Sequence, residues 1–363
     1  MKKNILIIGS TGKLGTKLLK FLSKNSISVY GITCYKNNFK LSLQKKLYSI
    51  KNTFVLSRNE EKAKFLNFLK EKIHIIYFLD YGSMSLQYLK PFLNFNQNSI
   101  IAVANKEMII AGGTFLQKKI KQTNNTFVPL DSEHFSIFNS NIKNDNIIKI
   151  YITASGGPFY FNKKINLSNV SYSKVLSHPK WNMGTNNLID SSNFINKILE
   201  IYELSYIYNV PLNKIDFLIS KEAYVHSLIH FVDSTISINC FRNDMLITLI
   251  KPLTYFYKIK PMKINHNYLD KDKLMLEIPK DKRFKIFKNK KKLMKLSHSD
   301  QIKLMIINNS AHKLYLSNKL KYSNIVSYIM KEISKNSKDI NLNSFKSILN
   351  FITKYNDHYK TNV

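Results

Sequence analysis

Four short apolar runs, Asn4–Ile8, Ser28–Thr33, Ile73–Leu79 and Ser99–Ala104, are separated by longer segments with helical spacing such as Leu14–Leu22 and Lys62–Leu69. Apolar runs of that length suit strands buried on both faces. Regular strand–helix alternation then builds a parallel sheet with helices packed on each side. Between the first run and the first helix lies Gly9-Ser10-Thr11-Gly12-Lys13-Leu14-Gly15. Glycines there permit a tight turn and close backbone approach, and the helix N-terminus offers N–H groups to a pyrophosphate. The same glycines would also suit an ordinary strand–helix turn. Residues 1–126 are therefore expected to form an α/β, Rossmann-like nucleotide-binding domain.

Beyond it the pattern changes. Residues 127–257 combine a strand-like Ile147–Ala154, a Gly-Gly-Pro turn, a polar loop around Ser177–Asn187 and a helix start at Asp190-Ser191. Two further strands are expected in Tyr224–Phe241, joined by a turn near Asp233-Ser234. This mixture indicates a central α+β domain. Residues 258–296 read as a basic connection, and 297–363 as a small helical domain with periodic runs at Gln301–Leu316, Asn324–Ile333 and Leu342–Ile352.

Composition narrows the function. The 363 residues include 56 Lys and Arg against 23 Asp and Glu, a formal charge of +33. Such a charge invites nucleic acid, but the lysines are spread along the whole chain beside abundant Asn, Ile, Phe and Tyr. That is the codon signature of an AT-rich genome, so nucleic acid is not the expected partner. A positive field does favour a small anionic substrate. No apolar run of about 18 residues suggests a membrane span, and the N-terminus lacks a signal-peptide pattern. Cys34 and Cys240 are too few for a disulfide framework. A cytoplasmic location is expected.

Several groups could carry chemistry. Lys36-Asn37 follows the second strand, where a basic residue suits a 2′-phosphate and hence NADPH; Lys36 could equally be one more surface lysine. In Pro129-Leu130-Asp131-Ser132-Glu133-His134, an extended backbone would point Asp131 and Glu133 to one side, as hard oxygen ligands for Mg²⁺ or Mn²⁺. A helix start capped by Asp131 or Ser132 explains the same residues. On a helix, Asn196 and Lys197 lie four and three residues before Glu200, so amide, ammonium and carboxylate border one face. That group could grip a phosphate beside a metal, or be a solvated Lys–Glu pair. Ser155, in Ala154-Ser155-Gly156-Gly157-Pro158-Phe159, offers a hydroxyl on a flexible turn that could seat an anion. Trp181, in His178-Pro179-Lys180-Trp181-Asn182-Met183-Gly184, could form a lid over a ligand or anchor its loop to the core.

Taken in order, these segments, together with Ala104-Asn105-Lys106-Glu107, resemble the 1-deoxy-D-xylulose 5-phosphate reductoisomerase family. The likeness runs from residue 4 to about 250 and reappears around Asn308–Ile325. It implies that Asp131, Glu133 and Glu200 coordinate a divalent metal (Mn²⁺, Mg²⁺ or Co²⁺). Lys106 and Ser132 would contact the substrate near that metal. Ser155, His178, Ser191, Asn196 and Lys197 would hold the substrate and its phosphate, and Trp181 and Met183 would belong to a closing flap over about 177–187. The resemblance places NADPH at Ser10, Thr11, Gly12, Lys13, Leu14, Lys36, Asn37, Asn105, Glu107 and Gly184. It also implies a homodimer acting on a phosphosugar, with metal-assisted rearrangement followed by hydride transfer. Three segments depart from the family pattern: Asp80-Tyr81-Gly82-Ser83 after the third apolar run, Ser220-Lys221-Glu222 before the later strand, and Asn308-Asn309 in the tail. A different NADP-dependent reductase would account for the glycine loop but not for the later carboxylate and phosphate groups.

Overall fold

The computed structural model describes residues 3–140, 146–178, 184–259, 274–335 and 339–361. The chain divides into two compact units, residues 1–138 with 244–265, and residues 139–243 with 266–363.

The first unit alternates β1 (Ile5–Ile8), α1 (Lys13–Lys24), β2 (Gly31–Cys34), α2 (Asn38–Leu47), β3 (Asn52–Val55), α3 (Asn59–Phe68), β4 (Ile75–Phe78), α4 (Leu86–Phe95), β5 (Ile100–Val103), α5 (Lys106–Gln122), β6 (Thr126–Pro129) and α6 (Ser132–Asn139). All six strands are parallel, in the order β3-β2-β1-β4-β5-β6. The order reverses between β1 and β4, and the crevice beyond the strands' carboxyl ends there is where such sheets bind ligands. β1 and β4 are wholly buried, which explains their unbroken apolar runs. On α1, Gly15, Leu18, Leu19 and Leu22 face the sheet. Burying each of those leucines contributes about 1.5–3 kcal/mol.

The second unit contains β7 (Ile147–Ala154), α7 (Tyr172–Val175), α8 (Thr185–Asn193), α9 (Ile195–Tyr208), β8 (Ile215–Ile219), β9 (Val225–Phe231) and β10 (Ile236–Cys240). α10 (Leu246–Ile250) returns to the first unit. α11 (Lys285–Leu293), α12 (His298–Leu316), α13 (Ile325–Lys335) and α14 (Phe345–Thr361) complete the second. Its sheet has the order β10-β9-β7-β8; β7 pairs parallel with β8 and antiparallel with β9.

Several expectations are corrected. β6 extends the first sheet, and Leu249 and Leu253 join the first core, so residues near 127 and 244 pack there rather than centrally. The basic connection contains a helix, Lys285–Leu293, that belongs to the second unit. No helix starts at Asp190. That residue lies inside α8, and the break falls at Phe194, which takes a left-handed φ of 68°. Asn193 Oδ1 accepts from the Ile195 N–H at 2.9 Å, while the Phe194 ring packs against Phe217, Phe284 and Phe287. Capping and aromatic packing together place the break.

Candidate active site

In the first unit the glycine loop is shaped by close approach. Gly9 has φ +84°, and a Cβ there would stand 2.7 Å from the Asp80 backbone nitrogen. A Cβ on Gly15 would stand 2.5 Å from Ser10 Cα. Glycine is thus required at both positions. Gly12 begins α1 without any side-chain cap, so the helix end presents its N–H groups and partial positive charge outward. Gly12 and Lys13 are exposed there, with Thr11 and Leu14 partly so. A pyrophosphate fits that cradle.

Ser10 has a different part. Its N–H donates to the Thr33 carbonyl at 2.9 Å, its hydroxyl to Gln44 Oε1 at 2.7 Å, and its carbonyl accepts from Gln44 Nε2 at 2.9 Å. With these atoms engaged inside the fold, Ser10 sets the loop's shape. Asn37 accepts from the Lys40 N–H at 3.0 Å and caps α2, while Lys36 is exposed beside Tyr35.

The departing segment closes onto the same crevice. Asp80 accepts hydrogen bonds from the Ser85 hydroxyl and from Asn105 Nδ2, the latter at 3.2 Å. Asn105 also donates to the Gly82 carbonyl at 3.1 Å and accepts from the Met108 N–H at 3.0 Å, capping α5. Burial pushes the Asp80 carboxyl up to about 6, against the lowering effect of those hydrogen bonds.

Lys106 and Glu107, at the start of α5, are buried. Lys106 Nζ lies 3.5 Å from Asp131 Oδ2. Asp131 Oδ1 accepts from the Glu133 N–H at 3.2 Å and lies 3.3 Å from His134 Nδ1. The extended reading of this hexapeptide is therefore overturned. β6 ends at Pro129, and Asp131 caps a helix whose first turn carries Ser132 and Glu133, with the Ser132 hydroxyl donating to Glu133. A helix N-terminus still favours two ionised carboxylates, so the hard oxygen donors remain available to a divalent cation.

In the second unit, Ser155 follows β7 and its hydroxyl lies 3.2 Å from His178 Nε2. Burial, with the charge of Lys197 behind it, pushes His178 down to about 4, so its ring is neutral at physiological pH. Gly157 has φ +58°, and a Cβ there would meet the Ser191 carbonyl at 2.9 Å. The Ser155 loop and the α8 backbone are thus in direct contact. On α9, Lys197 Nζ lies 2.5 Å from Glu200 Oε2, and Asn196 Nδ2 donates to Glu200 Oε1. All three are buried. The helical spacing foretells that convergence, and the burial removes the solvated-pair alternative. Gly184 is exposed at the start of α8; Trp181 and Met183 lie outside the described residues.

Sequence reasoning missed the residues that hold these groups in place. Gln44 and Ser85 brace the glycine loop and the Asp80 segment beside it. His312 and Asn308 both bond Asp190, next to Ser191. Partners that far apart in sequence leave no local signal. The only hint was the departure of Asp80-Tyr81-Gly82-Ser83 and Asn308-Asn309 from the family pattern.

Residues 127–208 match the family model for the 1-deoxy-D-xylulose 5-phosphate reductoisomerase C-terminal domain. The chain is 34% identical to the enzyme of that name from Pelagibacter ubique, over 91% of this chain and 90% of that one. It is 31% identical to the one from Clostridium novyi, over 98% and 100%. Among solved structures, a DOX-P reductoisomerase in complex with NADPH, fosmidomycin and magnesium superposes with a TM-score of 0.86 at 22% identity, covering 99% of this chain and 98% of that one. The Zymomonas mobilis enzyme in complex with NADPH gives 0.84 at 19% identity, covering 100% and 99%. These two likenesses establish the shared fold.

Proposed function

The chain belongs to the 1-deoxy-D-xylulose 5-phosphate reductoisomerase family, and from that premise we infer which of its side chains carry the reaction. The enzyme catalyses the metal-dependent rearrangement of 1-deoxy-D-xylulose 5-phosphate and its NADPH-dependent reduction to 2-C-methyl-D-erythritol 4-phosphate, a step of non-mevalonate isoprenoid synthesis. The carboxylates Asp131, Glu133 and Glu200 would hold Mn²⁺, Mg²⁺ or Co²⁺, which suits three hard oxygen donors. When bound, that ion supplies Lewis acidity to the substrate's ketone and hydroxyl oxygens. NADPH would be held by the Gly9–Gly15 cradle, with Thr11, Gly12, Lys13 and Leu14 at its phosphates, and would supply the hydride.

The remaining residues bind and orient. Lys106 and Ser132 hydrogen-bond the substrate's oxygens near the carboxylates, and Lys106 also stabilises negative charge developing there. Ser155, Ser191, Asn196 and Lys197 grip the phosphate, with neutral His178 donating or accepting beside Ser155. Holding the remote phosphate lets binding energy orient the reacting end. Lys36 would meet the cofactor's 2′-phosphate, and Asn105, bonded to Asp80 and Gly82, would fix the loop beside it.

The observation that carries this assignment is the buried Asn196–Lys197–Glu200 cluster on α9. A buried ammonium and carboxylate are retained at a desolvation cost, and a ligand-binding role at this cluster accounts for that cost. A homodimer is part of the proposal. It is supported by the edge strand β10, whose Ile236 and Ile238 are 59% and 51% exposed. Among the described residues no helix is long and apolar enough to cross a membrane. The unbridged Cys34 and Cys240 fit a cytoplasmic location.

The test is NADPH oxidation by purified protein given 1-deoxy-D-xylulose 5-phosphate, with Mn²⁺ or with chelator. Metal-dependent turnover to the branched methylerythritol phosphate is expected. Absence of turnover from folded protein with Mn²⁺ would overturn the proposal.

A further inference from the structure

The polar residues of α12 point inward. Asp190, one residue before Ser191, has a side chain 4% exposed, and its oxygens receive three hydrogen bonds from that one helix. His312 Nε2 donates to Oδ1 at 2.7 Å, and Asn308 Nδ2 reaches Oδ1 at 2.9 Å and Oδ2 at 3.1 Å. On the other side of Ser191, the Ser192 carbonyl accepts from the Tyr322 hydroxyl at 2.8 Å, just beyond α12. The Ser192 hydroxyl is turned back to the Ile189 carbonyl at 2.6 Å. Ser191 stands between these anchors, partly exposed where Asp190, Ser192 and Asn193 are buried. Its carbonyl abuts Gly157, in the loop that carries Ser155.

We propose that His312, Asn308 and Tyr322 are positioning residues for the phosphate seat, acting through Asp190 and the Ser192 carbonyl to set where Ser191 presents its hydroxyl. The inference rests on reading Ser191 as a phosphate-binding residue. Recognition of a phosphate by several short hydrogen bonds requires placement within a fraction of an ångström. A helix end fixed on both sides of the binding serine supplies that placement. A buried carboxylate one residue from a dianion's seat would also swing toward any donor it could find if its own were removed. The three hydrogen bonds from α12 hold it turned away. The C-terminal helices thereby govern substrate affinity without touching substrate.

The experiment is steady-state kinetics on the full chain with saturating Mn²⁺, varying 1-deoxy-D-xylulose 5-phosphate and NADPH separately. Inorganic phosphate serves as a competing ligand for the seat. H312A is expected to raise KM for the phosphosugar and Ki for phosphate by about tenfold, the lower end of what a hydrogen bond to a charged group contributes. Its kcat and its KM for NADPH should stay within about twofold of the parent, since the lost bond to the charged carboxylate bears on binding alone. H312Q restores an N–H to the carboxylate and should recover most of the loss. Y322F should raise KM about threefold, as for one neutral hydrogen bond. A purely structural role would lower thermal stability without splitting KM from kcat. If H312A does not fold, H312Q and Y322F decide. Unchanged KM in the folded variants, with S191A raising it, overturns the positioning role and leaves the phosphate reading intact. Unchanged KM in S191A overturns that reading, and the inference with it.

Discussion

Replacing Asp80 by asparagine tests whether a carboxylate sits beside the glycine loop at the fold's expense. Its folded proton affinity corresponds to about 6 against an ordinary 3.8, burial outweighing the hydrogen bonds from Ser85 and Asn105. Between those two values the native chain holds a proton that the unfolded chain releases. Stability from this group therefore falls as pH rises from about 4 to about 6 and levels off above. At about 1.4 kcal/mol per tenfold change in proton affinity, the penalty at neutral pH is at most about 3 kcal/mol. The introduced amide can still accept from Asn105 and donate to a reoriented Ser85 hydroxyl, so the substitution removes the charge and keeps the contacts. Urea unfolding of both proteins at half-unit steps from pH 4 to pH 8 should show D80N gaining about 2–3 kcal/mol over the parent across that window. A difference between the two proteins that is the same at pH 4 and pH 7.5 would refute the reasoning.

E200Q should lower turnover by about 10³-fold or more while leaving NADPH affinity within about twofold, measured by steady-state kinetics and cofactor fluorescence titration; comparable turnover would remove Glu200 from the metal site. G15A places a methyl against the Ser10 backbone, 2.5 Å from its Cα. It should destabilise the protein by about 1–3 kcal/mol and raise KM for NADPH, as read by thermal unfolding and kinetics. His178 is held down to about 4 against an ordinary 6.5, so the stability it contributes is complete above about 6.5 and is lost as pH falls through that window toward 4. H178N should flatten that part of the acid limb in a pH-dependent unfolding series.

The sequence announced elements wherever burial on two sides forced an unbroken apolar run, as in β1, β4 and β5. It was silent on β3, whose Asn52–Val55 lies at the sheet edge and is mostly half-buried, so no apolar pattern marks it. Glycine positions were legible because steric exclusion acts locally: Gly9 and Gly15 abut backbone, and only glycine fits. The Asn196, Lys197 and Glu200 convergence was legible for the same reason, being a matter of helical spacing. The backbone at Asp131 was not. A hexapeptide fits both an extended strand end and a helix cap, and what decides is that β6 stops at Pro129. The break at Phe194 was hidden as well, since a phenylalanine takes a left-handed conformation only where surrounding rings over-determine it.

α12 shows where periodicity stops informing. Its buried residues run unbroken from Ser299 to Asn308 and continue through Ser310, Ala311, His312 and Tyr315, so nearly its whole circumference is covered. A helix buried on all sides is ordinarily apolar on all sides, yet this one carries Asp300, Lys303, Asn308 and His312. Each has a partner: Lys303 lies 2.8 Å from Asp300, and Asn308 and His312 both reach Asp190. Polar side chains at intervals along a helix read as a solvated face, because that is what such residues usually are. Only a partner far off in the chain reverses the reading, and no local pattern reports one. An unmatched buried carboxylate costs the fold more than a hydrophobic replacement would. The Asp190 carboxylate is matched by two residues of α12, so its position beside Ser191 is fixed from that helix. On the proposed reading of Ser191 as a phosphate-binding residue, the helical tail is part of the substrate site's construction rather than an appendage to it.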